Sequence, residues 1–483
     1  MHFLTVQRVM GRLLIFFSST LLPPIAVSLY YEDGASLAFV IAFGITLTTG
    51  LVLWMPVGAK SREVRVRDGF VIVTLFWVLL ALFGALPFAL ADKPEMTFTD
   101  ALFESTSGLT TTGATVLTGL DDLPKSILYY RQQLQWFGGM GIIVLAVAVM
   151  PMLGVGGMQL YRAETPGPIK DNKLTPRITE TAKALWYIYL GLTVACASAY
   201  WLAGMSLFDA ISHSFSTIAI GGFSTHSLSF GYFDNPAIDS VGIVFMLLAG
   251  INFALHFHSW HGRSVKPYFF DAEVRVYVYM LLAVATISVG VLIFNQAYDD
   301  WVLAVRHGIF QSVSIATTTG FATTGFHWWP LFLPVLLITA SFVGGCAGST
   351  AGGMKVIRAV LLYKQGLREI FRLIHPDALM LIKVGGKPMA DDVISAVWGF
   401  FALYVVSFNL LALAMAGTGI DLVTAYSSVA ACLNNLGPGL GAVSANYAEL
   451  SVTGKWVLCF AMVLGRLELF TLLVLLTPSF WRG

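Results

Sequence analysis

Ten long apolar segments constrain this chain more than any other feature of its sequence. Each is long enough to cross a hydrocarbon core of ~30 Å as an α-helix. Apolar residues make up 57% of the 483 residues and charged residues only 11%, a balance that excludes a soluble globular protein. The sequence therefore predicts an all-α, polytopic membrane protein. The ten segments are residues 13–31, 38–57, 70–91, 128–153, 185–204, 237–256, 276–294, 329–362, 393–416 and 456–478.

Four shorter, half-apolar segments lie between pairs of these spans, and a polar stretch with a glycine follows each one. A helix of this length cannot cross the hydrocarbon core, and exposed backbone cannot face lipid. Each short helix and its polar stretch are therefore predicted to enter the membrane and to line protein or a water-filled cavity. The short segments are residues 98–110, 207–218, 300–316 and 420–433, and the aligned glycines are Gly113, Gly222, Gly320 and Gly437.

The order of span, short helix, polar stretch and span occurs four times after two leading spans. Repetition at intervals of roughly 100 residues is typical of an internal repeat, and we interpret it as four membrane–pore-helix–membrane units in a pseudo-fourfold arrangement. The predicted divisions are residues 1–69 for the two leading transmembrane helices and a cytoplasmic loop, 70–183 for unit 1, 184–275 for unit 2, 276–391 for unit 3 and 392–483 for unit 4.

The distribution of basic residues predicts the orientation of the chain. The loops that contain residues 60–67, 162–183, 263–275 and 355–387, with both termini, hold about 22 of the 28 Lys and Arg residues. Loops rich in Lys and Arg face the cytoplasm. Both termini are therefore expected in the cytoplasm, and the four short helices are expected to enter the membrane from outside.

Backbone chemistry indicates what four such polar stretches can do. A helix C-terminus carries roughly −0.5 charge, and the short helices point their C-termini toward the middle of the membrane. Main-chain carbonyl oxygens around one axis can replace the hydration shell of a monovalent cation. Glycine permits the backbone angles that bring these oxygens inward. The repeats therefore favour a cation-selective pore.

Longer motifs make the sequence similar to the Trk/Ktr/HKT superfamily of potassium transporters over essentially its whole length. The motifs are ALFESTSGLTTTGATV, DAISHSFSTIAIGGFSTH, VSIATTTGFATTGF, VAACLNNLGPGLG, GGMGIIVLAVAVMP, RAETPGPIKDNKLTPR, GGCAGSTAGGMK and GRLE. The resemblance implies potassium uptake across the bacterial inner membrane through a carbonyl-lined selectivity filter, with K⁺ as the transported ion. It also implies a homodimer in which each protomer has its own pore.

The same resemblance implies control by a cytosolic, TrkA-like nucleotide-binding regulatory subunit. The chain itself contains no GxGxxG strand–helix unit and no Walker A motif. We therefore expect no nucleotide bound to this chain, no nucleic-acid partner and no enzymatic activity. The lipid bilayer is its other predicted partner.

Residue by residue, the resemblance implies that the ion ligands are the main-chain carbonyls of the two residues before each glycine. These are Thr111 and Thr112, Ile220 and Gly221, Thr318 and Thr319, and Asn435 and Leu436. Every stretch departs from the T-V-G-Y-G strand of potassium channels, and units 2 and 4 lack the Thr-Thr pair. Backbone ligation tolerates this variation, but we expect looser selectivity, with Rb⁺ or some Na⁺ admitted. Gly113 favours potassium, because Ser at that position accompanies sodium transport in the plant relatives.

The span at 329–362 is interrupted by GGCAGSTAGG at residues 344–353, in unit 3 only. Each internal glycine costs a helix ~1 kcal/mol relative to alanine. We therefore expect an intramembrane loop beneath the filter that gates the pore, as the resemblance also implies. Close helix packing through small residues is the alternative. The glycines expected in this gate are Gly344, Gly345, Gly348, Gly352 and Gly353.

Arg466 lies well inside the last predicted span. An arginine at this depth must face the bundle interior or a cavity. We expect Arg466 to belong to the gate, as an electrostatic barrier below the filter. The alternative is a structural ion pair with Glu468, although residues two apart on a helix do not face each other.

Other functions stay open at this stage. A potassium/proton symporter would use the same filter, with His213 or His307 as a titrating group. A membrane enzyme acting on lipid-linked substrates is less supported, because the spans supply almost no acids, bases or metal ligands. A third alternative is a membrane scaffold without transport activity, but that function would not explain the four polar stretches. We expect packing rather than metal binding at His256, His258 and His261, and buried thiols at Cys196, Cys346, Cys432 and Cys459.

Overall fold

The computed structural model describes residues 3–57, 66–148, 178–378 and 380–482, and in these ranges the chain is almost entirely helical. The only β-structure there is a hairpin that pairs Lys383–Val384 antiparallel with Lys387–Pro388. The predicted all-α fold class is therefore confirmed. The basic residues at 60–65 and the motif at 162–177, which enter the predicted orientation and the resemblance, lie outside the described ranges.

Two leading spans precede the repeats. The first is divided into Phe3–Ser19 and Leu22–Tyr31, and the second is Ser36–Trp54. Pro23 and Pro24 lie in the first turn of Leu22–Tyr31. Backbone N–H groups in the first turn have no partner within the helix, so proline costs no hydrogen bond there. The two spans pack closely, because a Cβ on Gly11 would lie 2.7 Å from the Trp54 backbone nitrogen.

Each of the four units contains a long helix, a short helix, an extended segment and a second, often broken, long helix. Unit 1 comprises Val66–Gly84, Leu86–Leu90, Phe98–Leu109 and Lys125–Ala148. Unit 2 comprises Ile178–Leu202, Leu207–Ala219, Pro236–Ala249, Phe253–His261 and Lys266–Phe270. Unit 3 comprises Ala272–Phe294, Trp301–Ala316, Leu333–Val343 and Val356–Ile374. Unit 4 comprises Asp391–Ala416, Leu422–Leu433, Val452–Arg466, Phe470–Leu476 and Pro478–Trp481. Short 3₁₀ turns lie at Met55–Val57, Leu120–Asp122, Ser229–Tyr232, Phe326–Trp328 and Gly441–Val443.

The number of continuous spans is lower than the ten that the sequence suggests. Six helices of the described ranges are long and apolar enough to cross a membrane, or eight if each of two bent pairs is one span. Lys125–Ala148 is not among them, since Arg131 and three glutamines lie within it. Leu333–Val343 is too short because the glycine-rich loop interrupts it, as predicted.

Two spans predicted as continuous, 237–256 and 456–478, are in fact sharply bent. Pro236–Ala249 and Phe253–His261 meet at 95°, and Val452–Arg466 and Phe470–Leu476 meet at 117°. At the first bend, Asn252 caps the new helix by accepting a hydrogen bond from Ala254 N at 2.8 Å. At the second, Glu468 and Leu469 both have positive φ, 52° and 53°. Local capping and backbone conformation, which hydropathy does not report, divide these helices.

The N-termini of the short helices are capped in two ways. Asp300 and Asp421 are N-caps, as their position suggests, with hydrogen bonds from Val302 N and Thr424 N. In units 1 and 2 the caps are instead Thr97 and Ser206, and the aspartates lie three residues later. Thr97 Oγ1 accepts a hydrogen bond from Asp100 N at 3.2 Å, and Ser206 Oγ one from Asp209 N at 3.1 Å. Each hydroxyl donates in turn to the carboxylate of the same aspartate, at 2.7 and 2.6 Å.

Candidate ion-binding site

The four short helices end in the same way and lead into four equivalent segments. We name these segment 1 (111–116), segment 2 (220–225), segment 3 (318–323) and segment 4 (435–440). In each, the amide of the second residue donates to the carbonyl oxygen five residues earlier, at 2.7–2.9 Å. This is the Schellman arrangement of a helix C-terminus. The first residues have positive φ between 52° and 67°, and they are Thr111, Ile220, Thr318 and Asn435.

This shared conformation is costly for the residues that adopt it. A left-handed backbone costs roughly 1–2 kcal/mol for a residue with a Cβ, and Thr111, Ile220 and Thr318 are β-branched, which makes them outliers. The same conformation nevertheless recurs at all four positions, on three different types of side chain. A strained backbone conformation persists only where the surrounding structure holds it in place, and such conformations cluster at functional sites. The four segments therefore share a backbone path rather than a sequence.

The third residue of each segment is the predicted glycine, and neighbouring segments touch there. A Cβ on Gly113 would lie 2.1 Å from Gly221 O, and a Cβ on Gly222 would lie 2.1 Å from Thr319 O. Segment 1 thus contacts segment 2, and segment 2 contacts segment 3.

The remaining two glycines close the circle. A Cβ on Gly320 would lie 2.2 Å from Leu436 O, and a Cβ on Gly437 would lie 2.6 Å from Thr112 O. Segment 3 thus contacts segment 4, and segment 4 contacts segment 1. The four segments form a ring in sequence order, in which each glycine leaves room for a carbonyl of the next segment.

The eight predicted ligand carbonyls belong to buried residues of this ring. Within the described ranges, seven of the eight oxygens accept no hydrogen bond from the protein. The exception is Gly221 O, which accepts a 2.6 Å hydrogen bond from Gln135 Nε2. A buried carbonyl without a partner costs free energy unless another group satisfies it. The ring can therefore offer these oxygens to a dehydrated cation.

A buried ion pair braces segments 1 and 2. Glu104 Oε1 lies 2.6 Å from Arg131 Nε, and the two side chains are 0% and 1% exposed. Glu104 also accepts hydrogen bonds from Thr115 Oγ1 and Val116 N, both at 3.0 Å. Arg131 Nη1 donates to Ser224 O at 3.2 Å. Removing one partner of such a pair typically costs roughly 3–5 kcal/mol, so this pair fixes the two segments relative to each other.

Residues 344–355 connect Leu333–Val343 to Val356–Ile374 and lie against the ends of three short helices. Thr350 Oγ1 donates to Ile218 O in unit 2 at 2.9 Å. Gly352 N donates to Thr318 Oγ1 in unit 3 at 2.7 Å. Gly353 N donates to Asn434 O in unit 4 at 3.1 Å. The predicted loop is therefore present and contacts three units beside the ring.

The glycines of the loop permit this close approach. Gly344, Gly348 and Gly353 have positive φ near 70°, and a Cβ on Gly352 would lie 1.9 Å from Asn434 O. Gly345 packs against Ala351, to whose Cβ its own Cβ would lie 2.6 Å away. All five predicted glycines thus lie where a side chain would be strained or would clash.

The loop is also anchored at its outer edge, at contacts that the sequence did not reveal. Glu273 Oε1 accepts hydrogen bonds from Ala347 N at 2.8 Å and from Ile357 N at 3.1 Å. Cys346 N donates to Gly250 O at 2.9 Å, at the bend of unit 2. The bend thus provides part of the surface on which the loop rests.

Arg466 is 3% exposed and joins the loop to unit 1. Its Nη1 donates to Thr350 O at 3.1 Å, and its Nη2 donates to Gly138 O at 3.3 Å. The alternative partner, Glu468, pairs with Arg358 instead, at 2.6 Å. The guanidinium of Arg466 therefore lies beside the loop, and two backbone carbonyls accept its hydrogen bonds.

Two buried histidines, His213 and His256, have both ring nitrogens in hydrogen bonds. His213 uses both ring nitrogens at 2.9 Å, with Asp209 O and Ser224 Oγ. His256 does the same with Tyr268 OH and Leu248 O, which fits the expected packing role. Within the described ranges no group of three His, Cys, Asp or Glu side chains could hold a metal ion. The four cysteines are buried and unpaired, as expected.

Sequence reasoning missed the polar residues behind the ring. Glu104, Arg131 and Gln135 contact the segments but lie on the helices that carry or flank them. The signal was present in YYRQQLQW, residues 129–136, which places one arginine and three glutamines inside an apolar span. Polar residues at membrane depth are expensive and are usually functional.

Comparisons with known proteins agree over the whole chain. The family model TrkH, described as a cation transport protein, matches residues 35–482. The chain is 56% identical over 485 residues to the Trk system potassium uptake protein TrkH of Vibrio parahaemolyticus, covering 100% of both. It is 42% identical over 482 residues to the Trk system potassium uptake protein TrkG of Escherichia coli K12, covering 100% of this chain and 99% of TrkG. The crystal structure of the potassium transporter TrkH from V. parahaemolyticus matches with a TM-score of 0.92 at 53% identity, covering 100% of both chains.

Proposed function

Because the chain belongs to the TrkH family of cation transport proteins, we propose that it carries potassium across the membrane through the ring of segments 1 to 4. The observation that carries the proposal is the cyclic contact of each segment glycine with a carbonyl oxygen of the next segment. The family consists of transporters, so the expectation that this multi-pass membrane protein is not an enzyme is confirmed.

The proposed chemistry is exchange of water for backbone oxygens. A K⁺ ion loses its hydration shell on entering the ring and gains carbonyl dipoles in return. None of the eight predicted ligands is a charged side chain, so each ion is held without a fixed counter-charge and can leave again. The side chains at the ligand positions differ from unit to unit, and we expect the ring to prefer K⁺ and Rb⁺ while admitting some Na⁺.

We further propose that loop 344–355, with Arg466, is the gate. Three hydrogen bonds hold the loop to Ile218, Thr318 and Asn434. A net value of about 1 kcal/mol for each bond gives a barrier that a binding partner can overcome. The guanidinium of Arg466 adds an electrostatic penalty for a cation nearby.

Movement of K⁺ is proposed to be passive rather than coupled to protons. His213 contacts segment 2 through Ser224 Oγ and is fully buried, with its other ring nitrogen bonded to Asp209 O; an imidazolium at this position would be a buried charge, which is costly. A pH gradient imposed without a potassium gradient should therefore not drive accumulation in vesicles.

The location and assembly of the protein are a further part of the proposal. We propose that the protein lies in the bacterial inner membrane with both termini in the cytoplasm, as a homodimer of four-unit protomers. The units are proposed to begin with the helices that start at Val66, Ile178, Ala272 and Asp391, a few residues before the predicted divisions at 70, 184, 276 and 392. The cytosolic partner is proposed to be a TrkA-like nucleotide-binding subunit that docks on the basic loops, while this chain binds no nucleotide itself.

Uptake of radioactive Rb⁺ by the purified protein in lipid vesicles tests the function. We expect a K⁺ gradient to drive Rb⁺ uptake, and the cytosolic subunit with nucleotide to increase its rate. K⁺ should compete with Rb⁺ at a lower concentration than Na⁺ does. Vesicles that take up no more Rb⁺ than protein-free ones, with or without the partner, would refute the proposal.

A further inference from the structure

Gln135 contacts segment 2 from behind and is fully buried. It lies on Lys125–Ala148 of unit 1, one unit away from the segment it holds. Its Nε2 donates to Gly221 O at 2.6 Å, and its Oε1 accepts a hydrogen bond from Phe223 N at 3.1 Å. The backbone N–H of Phe223 can only donate, so the amide oxygen must face Phe223 and the NH₂ group must face Gly221.

The amide of Gln135 also takes the space of a side chain at position 221. A Cβ on Gly221 would lie 2.4–2.8 Å from the amide atoms of Gln135. The equivalent residues in the other segments are Thr112, Thr319 and Leu436. At position 221 the departure of segment 2 from the Thr-Thr-Gly pattern therefore has a steric cause: Gly221 makes room for Gln135.

This contact makes one ligand position unlike its three counterparts. Gly221 O shares one lone pair with an amide donor and is held in place, whereas Thr112 O, Thr319 O and Leu436 O accept no hydrogen bond from the described protein. A carbonyl oxygen that already accepts a hydrogen bond attracts a cation less strongly. Because the hydrogen bond also holds the oxygen in place, it cannot easily move inward to contact a smaller ion. Weaker, less adaptable oxygens favour the larger, more easily dehydrated ion.

We propose that Gln135 is a positioning residue that sets the preference of the ring for K⁺ over Na⁺, by fixing Gly221 O and reducing its pull on the ion. This inference rests on the proposed function of the ring.

The test replaces Gln135 by methionine, which has a similar length but neither donates nor accepts as an amide does. Wild type and Gln135→Met are compared in vesicles by the concentrations of Na⁺ and K⁺ that halve Rb⁺ uptake. We expect the preference for K⁺ over Na⁺ to fall about threefold to tenfold, the effect of one net hydrogen bond. The total Rb⁺ uptake per correctly folded molecule should change less than this ratio.

Gln133 supplies the matched control. It lies two residues earlier on the same helix, is 3% exposed, and its Nε2 donates to the backbone carbonyl of Thr20 at 2.7 Å. Gln133→Met thus loses the same kind of hydrogen bond, to a leading span rather than to the ring. Its ion preference should equal that of wild type.

The outcomes separate the two proposals. An unchanged preference in Gln135→Met, or an equal shift in Gln133→Met, overturns the role of Gln135 while leaving transport intact. Absence of uptake by wild type refutes the proposed function instead. If Gln135→Met does not fold, Gln135→Asn, which withdraws the amide by one methylene, is measured in its place against the same expectation.

Discussion

The ring of segments and the loop at 344–355 lie in contact but are built in opposite ways. The ring repeats one backbone conformation four times with different side chains, and its predicted ligands are all main-chain oxygens. The loop occurs once in four units, and side chains such as Glu273, Thr350 and Arg466 hold it in place. A spherical ion needs similar ligands on every side, whereas a gate needs only one moving part. Under the proposed function, repetition serves ion binding and its interruption serves control.

The largest expected effect concerns the ring glycines. In Gly222→Ala the new Cβ would lie 2.1 Å from Thr319 O, so segments 2 and 3 must separate. Overpacking of this kind typically costs about 1–3 kcal/mol, and we expect Rb⁺ uptake to fall at least about tenfold. The control is Gly290→Ala, because nothing lies within 4 Å of a Cβ there. Normal uptake by Gly222→Ala would contradict a rigid ring.

The second prediction addresses the loop. Deleting residues 345–352 removes its hydrogen bonds to Ile218 and Thr318 and should raise Rb⁺ uptake in the absence of the cytosolic subunit by about tenfold, the equivalent of ~1.4 kcal/mol. Gly352→Ala is the point version, since its Cβ would lie 1.9 Å from Asn434 O. Gly366→Ala, with nothing within 4 Å, is its control. Unchanged flux together with unchanged regulation would eliminate the loop as the gate.

A third, smaller effect distinguishes the charge of Arg466 from its hydrogen bonds. Arg466→Ala removes both and should raise uptake several-fold. Arg466→Lys keeps the charge but cannot reproduce the fork that reaches Thr350 O and Gly138 O. Uptake by Arg466→Lys close to wild type would assign the barrier to charge, and uptake close to Arg466→Ala would assign it to the hydrogen bonds. An Arg466→Ala protein with wild-type flux and ion preference would remove Arg466 from the gate altogether.

The smallest effect concerns pH at the outer contact of units 1 and 2. His226 Nδ1 lies 2.6 Å from Asp121 Oδ1, and its Nε2 lies 3.4 Å from Asp209 Oδ1. Burial alone would lower the pKa of His226, but the contacts with Asp209 and Asp121 raise it above its ordinary value of 6.5. The contacts of protonated His226 with Asp121 and Asp209 therefore stabilise the folded protein fully below pH 6.5. This stabilisation is lost as the pH rises through the raised pKa of His226.

Thermal unfolding of the purified protein measures this contribution. At low pH the Tm of wild type should exceed that of His226→Gln by an amount on the order of 1 °C. This difference should disappear as the pH increases across that range. Parallel pH profiles of the two proteins would show that the imidazolium contributes nothing to stability.

Much of this architecture was legible in the sequence, for stated physical reasons. Hydropathy identified the apolar segments but not which of them are continuous helices. The recurrence of glycine after four short helices located the segments of the ring, because both signals depend on local composition. The bends at Gly250 and Glu468 were not predicted, since the Asn252 cap and the left-handed backbone of Glu468 and Leu469 accompany them and hydropathy reports neither. Gln135 and Glu273 were also missed, because their partners lie 86 and 74 residues away along the chain.

The ring closes within one polypeptide, so its four quarters are encoded separately. In a channel made of four identical chains, any substitution in the filter appears on every side of the ion at once. Here a single codon alters one proposed ligand position and leaves its three counterparts unchanged, as Gly221 beside Thr112, Thr319 and Leu436 illustrates. Ion preference in such a protein can thus be adjusted in small steps during evolution, without passing through an intermediate in which every ligand has changed.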